Sequence, residues 1–565
     1  MRNWILGICA LSGSLTALGQ SISAGSITGN MEATFQYLNA DSLIGATQPS
    51  EKGLLNSYMN VFYTNGKFKA GTRVESYLPR IQGYPNRFDG TGIGMRFAGY
   101  ANDYIDITLG NFYEQFGSGI SFRAYEDRNL GYDNAMDGVR LILRPINGVQ
   151  IKAIYGRQRY SFQGGKVIVS DGLTRGIDAQ LRLNSFFHRM DSIGLDITLG
   201  GSFVSKYQAD NNEEYILPEN VGSYGGRIDI RYKKLTLNGE YIHKDNDPSD
   251  DNGYIYNSGH AAIANLGYSQ KGFGVMLSAK SVDNMSYRSD RTKGLQDLFI
   301  NYLPAMNKTH TYNLVATLYP YATQPLGEIA YQAELLYSIP KGKLGKYAIP
   351  ININYSTAYL PNRSTNGLDL TDSSRVMYKT SAFNMSDSLL WQDFNVNVTY
   401  KLNKNLYFIG SYYNIRINNN ISKITGDAHG IISTQVGVLE LGWKINKKHN
   451  IRAEFQGLFN QKIYEEEADG SFKRVGDDKG NWATGVLEYT ISPNWFFGIM
   501  DQFNYGNKNA DLRLHYVTVS AGWIKESTRI SVNYGKQRAG LFCVGGVCRF
   551  VPASNGLTVS VTHSF

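Results

Sequence analysis

From Ile27 to the last residue, apolar and polar side chains alternate with a period of two, in segment after segment of about ten residues. Val149, Ile151, Ala153 and Tyr155 share one face of such a segment, and Ile105, Ile107 and Leu109 alternate with Asp106 and Thr108. Ile177, Ala179, Leu181 and Leu183 alternate with Asp178, Gln180 and Arg182, while Arg227, Asp229 and Arg231 oppose Ile228, Ile230 and Tyr232. Two is the period of a β-strand, whose successive side chains point to opposite faces. A chain carrying this pattern throughout is all-β, with one apolar and one polar face on every strand.

The connections say which all-β fold. Short turns stand at Asn65-Gly66, Asn102-Asp103, Asn147-Gly148, Lys233-Lys234, Lys271-Gly272, Asn403–Asn405, Lys447-Lys448, Pro493-Asn494 and Lys525–Ser527. Longer polar stretches alternate with them, at 39–53, 114–134, 207–221, 245–256, 463–479 and 539–555. Short periplasmic turns with long extracellular loops are the rhythm of a bacterial outer-membrane barrel, and a soluble sandwich has no reason to keep it. Composition agrees, with 60 Gly, 40 Tyr, only 14 Pro and 18% charged residues. No apolar run long enough for a membrane helix follows the first twenty or so residues, so a helical membrane protein is excluded. The last strand ends Leu557, Val559, Val561, His563, Phe565 on one face, a terminal aromatic resembling the recognition signal of the barrel-assembly machinery.

The expected fold is therefore a single large antiparallel transmembrane β-barrel over residues 20–565, with about 24–26 strands at roughly 21–23 residues per strand and connection. Between 282 and 392 the tally does not close. Asp297–Tyr302, Thr311–Tyr319, Glu328–Tyr337 and Ile349–Tyr359 all read as strands there, but their turns do not settle which side each faces. Strand-like sequence begins by Ile27, which leaves no room for an N-terminal plug.

Residues 1–19 read as a cleaved signal peptide, with Arg2 as the positive start, Trp4 to Leu18 as the apolar stretch and Ala17-Leu18-Gly19 as the cleavage site. Cys9 lies inside this segment and follows Ile8 rather than a small residue, so it is not a lipidation site. Cys543 and Cys548 then remain, flanking Gly545-Gly546, and in an exported chain they read as a disulfide across a hairpin tip. A metal site would need further ligands nearby. The formal net charge of +8 is spread along the chain without a basic cluster, which implies no nucleic-acid partner.

Phe112–Gly119, Asn129–Gly138, Tyr302-Leu303-Pro304 followed by Thr311-Tyr312, and the Cys543/Cys548 hairpin resemble a family of Bacteroidetes outer-membrane barrels of unknown function. The resemblance covers the whole mature chain. It implies the outer membrane of that phylum and no particular activity.

Candidate function rests on the polar faces. Taken as inward, they place Arg73, Glu75, Arg96, Asp106, Arg140, Arg144, Lys152, Asp178, Arg182, Arg227, Asp229, Arg231, Glu240, Arg452 and Glu454 in the lumen. These residues would line a polar channel biased toward anions, or form a self-neutralising charge ladder that fills it. The stretch 114–134 is long, charged and hinged at Gly117 and Gly119, and carries Glu114, Arg123, Glu126, Asp127, Arg128 and Asp133. Folded inward, it would constrict the lumen against wall arginines such as Arg140 and Arg144, with Arg182 below; otherwise it is a surface loop.

Asp245 to Gly253 offers four carboxylates to a cation such as calcium but lacks a closing bidentate Glu, and a hydrophilic loop explains it better. The acidic run Glu465–Glu467 with Asp469 reads the same way. Gly90-Thr91-Gly92-Ile93-Gly94 has no helix behind it for phosphate and reads as small residues at a strand start. The eight histidines form no metal or nucleophile motif, so no enzyme and no cofactor are expected. Tyr58, Phe62, Tyr155, Tyr232, Tyr241, Trp443, Trp495, Phe496, Phe497 and Trp523 are expected at the lipid–water boundaries.

The expected partners are outer-membrane lipid and lipopolysaccharide, and the barrel-assembly machinery through Phe565. A porin-like channel or transporter for small polar solutes leads. A non-transporting scaffold whose loops bind a surface or secretion-system partner is the alternative, and an interfacial hydrolase is the weakest option.

Overall fold

The computed structural model describes residues 25–368, 375–422, 430–461, 463–466, 472–475, 480–507, 509–544 and 547–565. The expected signal peptide 1–19 and part of the acidic run at 465–469 lie outside these. Twenty-four strands form one antiparallel sheet. Each barrel strand pairs with the next along the chain, and the first, Ser26–Asn39, pairs with the last, Ser554–Ser564, from Asn30 opposite Ser564 to Asn39 opposite Asn555. Closure removes every edge that would otherwise expose unpaired backbone groups to lipid. The count is the lower end of the expected range.

The seam closes on the terminal residue itself. Phe565 and Gly29 exchange two backbone hydrogen bonds of 2.9 Å. A Cβ on Gly29 would sit 2.4 Å from the Phe565 ring, so only glycine allows this approach. The outward phase of the strands is apolar, with Ile27, Phe35, Tyr155, Ile177, Leu237, Leu439, Phe455, Ile499 and Val519 all exposed. That is the surface a hydrocarbon solvent selects.

Every short turn expected from the sequence lies at one rim, the rim that also holds Ser26 and Phe565. The long connections lie at the other, joined there by the two-residue hairpin Gly164-Gly165 between Val149–Gln163 and Lys166–Arg182. That long hairpin bends over the short strands Ile105–Phe112 and Met136–Leu143 and reaches Gly90–Ala101. A Cβ on Gly92 would sit 2.0 Å from the Gly165 carbonyl oxygen. Close backbone approach is thus what Gly90 and Gly92 serve, while Gly94 makes room for the Glu75 carboxylate.

Three expectations change. Asp297–Tyr302 and Thr311–Tyr319 are not strands: they belong to one long connection between Phe273–Asp283 and Gly327–Ile339, and Asn313–Leu318 is a short helix. A short apolar run buried on all sides has no period that separates strand from helix. Arg96 faces outward rather than into the lumen, because it pairs with Thr72 on the outer phase after a bulge between Arg73 and Val74 shifts the register. Tyr58, Phe62 and Phe496 point inward instead of to the lipid boundary. Tyr58 sits in register with Glu75, and Phe62 and Phe496 lie over Gly71 and Gly522 on the lumen phase.

Candidate functional site

Two long-rim loops fold into the barrel, and what holds each one differs. Residues 113–135 are held by buried ion pairs, beside an apolar cluster in which Phe116, Phe122 and Ala124 pack with Ile154, Val204 and Val221 of the wall. Arg159, almost fully buried, donates to Glu75 at 2.7 Å and to Asp133 of the loop at 2.9 Å. Arg73 grips Glu126 with both terminal nitrogens, at 2.9 and 3.0 Å, and Arg128 joins Glu126 at 3.0 Å and Glu32 at 2.7 Å. Burial raises the Asp133 carboxyl above its ordinary range, against the pull of the Arg159 guanidinium. Such paired forks fix geometry as much as energy, and removing one partner strands the other charges in a dry site.

Further along the same loop, Glu114 meets Lys152 at 2.7 Å and Arg140 at 3.6 Å, and the Ser118 N–H donates to Glu240 at 2.8 Å. Arg123 is stacked between Tyr125 and Tyr302, 4.3 and 4.1 Å from the ring centres. Asp127 turns to the N–H groups of Asn129 and Leu130 in its own loop. Below the loop, on its short-turn side, lies a polar cavity of about 410 Å³ lined by Lys152, Asp178, Arg227, Asp229 and Glu240 among others.

Residues 284–326 are held by apolar packing. Met285, Tyr312, Leu314, Val315, Leu318, Tyr319 and Tyr321 are buried against inward-facing Ile242, Ala261, Val282, Ala330, Ala358, Trp391, Ile415, Val436 and Leu458 of the wall. Each such side chain contributes about 1.5–3 kcal/mol relative to exposure. Polar contacts set the position: His310 to Asp393 at 2.9 Å, the Leu314 N–H to Gln456 at 3.0 Å, and the Tyr287 hydroxyl to the Val221 carbonyl at 2.9 Å. Lys280 pairs with Glu328 at 2.6 Å and donates to the Pro304 carbonyl at 2.7 Å. The two loops also join each other, the Tyr302 N–H donating to Gly119 at 2.9 Å and the Arg123 N–H to Ile300 at 2.8 Å.

One side of the lumen escapes this filling. In the middle of the strands His515–Lys525, Thr528–Gln537, Ser554–Ser564 and Ser26–Asn39 the inward residues are Thr518, Ser520, Ser531, Asn533, Thr558, Ser560, Thr34 and Gln36, with Leu38 and Tyr516 inward nearer the long-loop rim and Glu32 and Arg529 nearer the short turns. Those eight mid-strand residues are uncharged, and none is buried. The lumen there is polar and accessible to water.

The structure thus brings Glu114, Arg123, Glu126, Asp127, Arg128, Asp133 and Arg140 together in or against the inward loop. Arg144 lies in the short turn after Met136–Leu143, and Arg182 pairs with Asp196 at 2.9 Å near the same rim, so neither faces that loop. The wall partners of the loop are Arg73 and Arg159 rather than Arg144. Of the four carboxylates of 245–253, Asp247 pairs with Lys206 at 2.6 Å and Asp251 with Arg288 at 3.2 Å, while Asp250 accepts from the Tyr254 hydroxyl. Cys543 and Cys548 form the expected disulfide. Sequence reasoning missed the loop 284–326. Its signal was Pro304, Pro320 and Pro325, three of only 14 prolines, standing between the short segments read as strands.

A family model described as a family of unknown function, DUF6029, matches residues 1–565, and the chain belongs to that family. No curated protein matches it. Among solved structures, a mutant of the ferric enterobactin receptor PfeA from Pseudomonas aeruginosa shares 10% identity over 95% of this chain and 80% of that one, with a TM-score of 0.42. The copper transporter OprC shares 9% over 96% and 80%, at 0.41. The outer membrane protein opdK from Pseudomonas aeruginosa shares 11% over 77% and 99%, at 0.34.

Proposed function

For this member of a family of unknown function, we propose an outer-membrane channel for small polar solutes whose path runs along one side of a largely filled lumen. The single observation that carries it is the contrast within the wall. The middle of the inner face of strands 515–525, 528–537, 554–564 and 26–39 is small, polar and wet, while the upper lumen across strands 235–461 is packed by the loop 284–326 and that beside strands 68–77 and 149–163 by the loop 113–135. A narrow polar groove beside a rigid filler passes solutes by size and field. In this reading the chain reaches the outer membrane through a cleaved segment 1–19, and assembly starts from the strand ending in Phe565. The Bacteroidetes resemblance gives the expected host.

Planar-bilayer recording of the purified protein tests it. Wild type is expected to carry a small steady current, and Ser531→Trp or Ser560→Trp, on the wet side, to cut it severalfold. Silence from correctly folded wild type would sink the channel. It would leave the scaffold, which has its own support in the apolar packing of 284–326 across the mouth.

A further inference from the structure

At the long-loop end of the wet side lies a cavity of about 290 Å³, lined by Gln36, Gln82, Gln502, Gln537, Arg538 and Arg549 among others, with no carboxylate in its lining. The two arginines are bound unlike four inward-facing ones of the wall. Arg73, Arg140, Arg159 and Arg227 each meet a carboxylate. Among the described residues, Arg538 and Arg549 have none within ion-pair distance.

Arg538 donates to the Gln502 side chain at 3.4 Å and to the Thr317 hydroxyl, and lies over the Trp482 ring. Arg549 donates to the Gly83 carbonyl at 3.2 Å and lies over the Tyr84 ring. Its Nε is buried without a hydrogen-bond partner. Asp127 acts on Arg549 only from beyond ion-pair distance, its carboxylate occupied by the turn at Asn129 and Leu130. Burial pushes the Arg538 guanidinium down to about 10, with only the Tyr516 and Tyr319 hydroxyls pulling the other way. An arginine stays charged all the same, so the cavity holds two cations that no carboxylate among the described residues pairs with.

We propose that this cavity binds a small anion, a carboxylate or phosphate group on a hydroxylated body. Arg538 and Arg549 hold its charged oxygens, and the amides of Gln36, Gln82, Gln502 and Gln537 hold its hydroxyls. A guanidinium fork matches both anionic groups, and side-chain amides both donate to and accept from hydroxyls. The assignment of this anion as the transported solute rests on the channel reading; its binding does not.

The test is calorimetric titration of the folded protein in detergent with gluconate, inorganic phosphate and glucose. Folding is checked by the heat-dependent gel mobility of a closed barrel. Gluconate and phosphate are expected to bind saturably and glucose not. Arg538→Gln and Arg549→Gln are each expected to weaken gluconate by about tenfold, and Arg538→Lys by less, because it keeps the charge and loses the fork. No saturable anion binding by folded wild type, or binding unchanged in the double Gln variant, would overturn the site. Binding that the variants abolish, in a protein that passes no current, keeps the site and removes the channel. Current without binding removes the site alone.

Discussion

Two sectors of one barrel wall carry the same alternation and end in opposite states. Across strands 235–461 the inward positions of the upper lumen hold Ile242, Ile263, Trp391, Ile415, Val436 and Leu458, and a folded loop covers them. In the middle of strands 515–525, 528–537, 554–564 and 26–39 the inward positions hold Ser, Thr, Asn and Gln, and these stay partly exposed. The difference is side-chain size and polarity on the inner phase alone, since the outer phase is apolar in both. A large apolar inner face costs free energy unless something packs on it, whereas small hydroxyls and amides are content with water. Loop placement is therefore written on the wall as much as in the loop.

The largest expected effect comes from breaking the charged anchor that stands between these sectors. Arg159→Met leaves Glu75 and Asp133 buried without their main cation, at a cost of about 3–5 kcal/mol. Hydrogen exchange of the amides in 113–135 should rise sharply while that of 284–326, held by packing, changes little. Equal loosening of both loops would show that they are one unit and that the distinction fails.

Next is the packed sector itself. Leu314, fully buried in the helix 313–318, loses about 3 kcal/mol on truncation to Ala, because the wall cannot collapse into the gap. Thr558→Ala on the wet side should stay within about 0.5 kcal/mol. Urea unfolding of the two variants side by side measures this, and bilayer current should rise only for the first. Similar losses in both would mean that the wet side is packed too.

Much of this was legible in the sequence because alternation and turn chemistry are local. The fold class, the short turns from Asn65-Gly66 to Lys525–Ser527 and the disulfide follow from neighbours a few residues apart. Register is less local: one bulge beside Arg73 turned Arg96 outward, and no pattern within its own segment records that. The loop 284–326 was least legible, since Tyr312, Leu314, Val315 and Leu318 are apolar toward wall residues scattered from Ile242 to Leu458. The charged stretch 114–134 could be named as a candidate, but its partners Arg73 and Arg159 come from strands on either side of it in the chain. Arg538 and Arg549 carried no signal, because what marks them is the acidic partner they lack among the described residues.

A smaller effect is expected at the hairpin that overhangs the wet side. Opening the Cys543–Cys548 link with a double Ser variant frees a loop of sequence separation 5, worth about 2 kcal/mol of local order. The barrel strands pair without it, so urea unfolding of the whole protein should not shift. The fluctuation of single-channel current should grow, since the segment carrying Arg538 and Arg549 lies at the mouth. An unchanged current trace would detach this hairpin from the path.

The smallest effect sharpens the contrast from the far rim. Arg182 and Asp196 are paired at 2.9 Å but half open to solvent, with side chains 54% and 35% exposed. An exposed pair gains little over two hydrated ions, so Arg182→Gln should cost less than about 1 kcal/mol. Screening by salt should erase even that, whereas the dry pairs of Arg159 should keep most of their strength. Measuring both variants at low and high salt separates charge that holds the structure from charge that merely lines an opening. If Arg182→Gln matched Arg159→Met in cost, the short-turn rim would be as dry as the loop anchor, and a water path along the lumen would have no exit there.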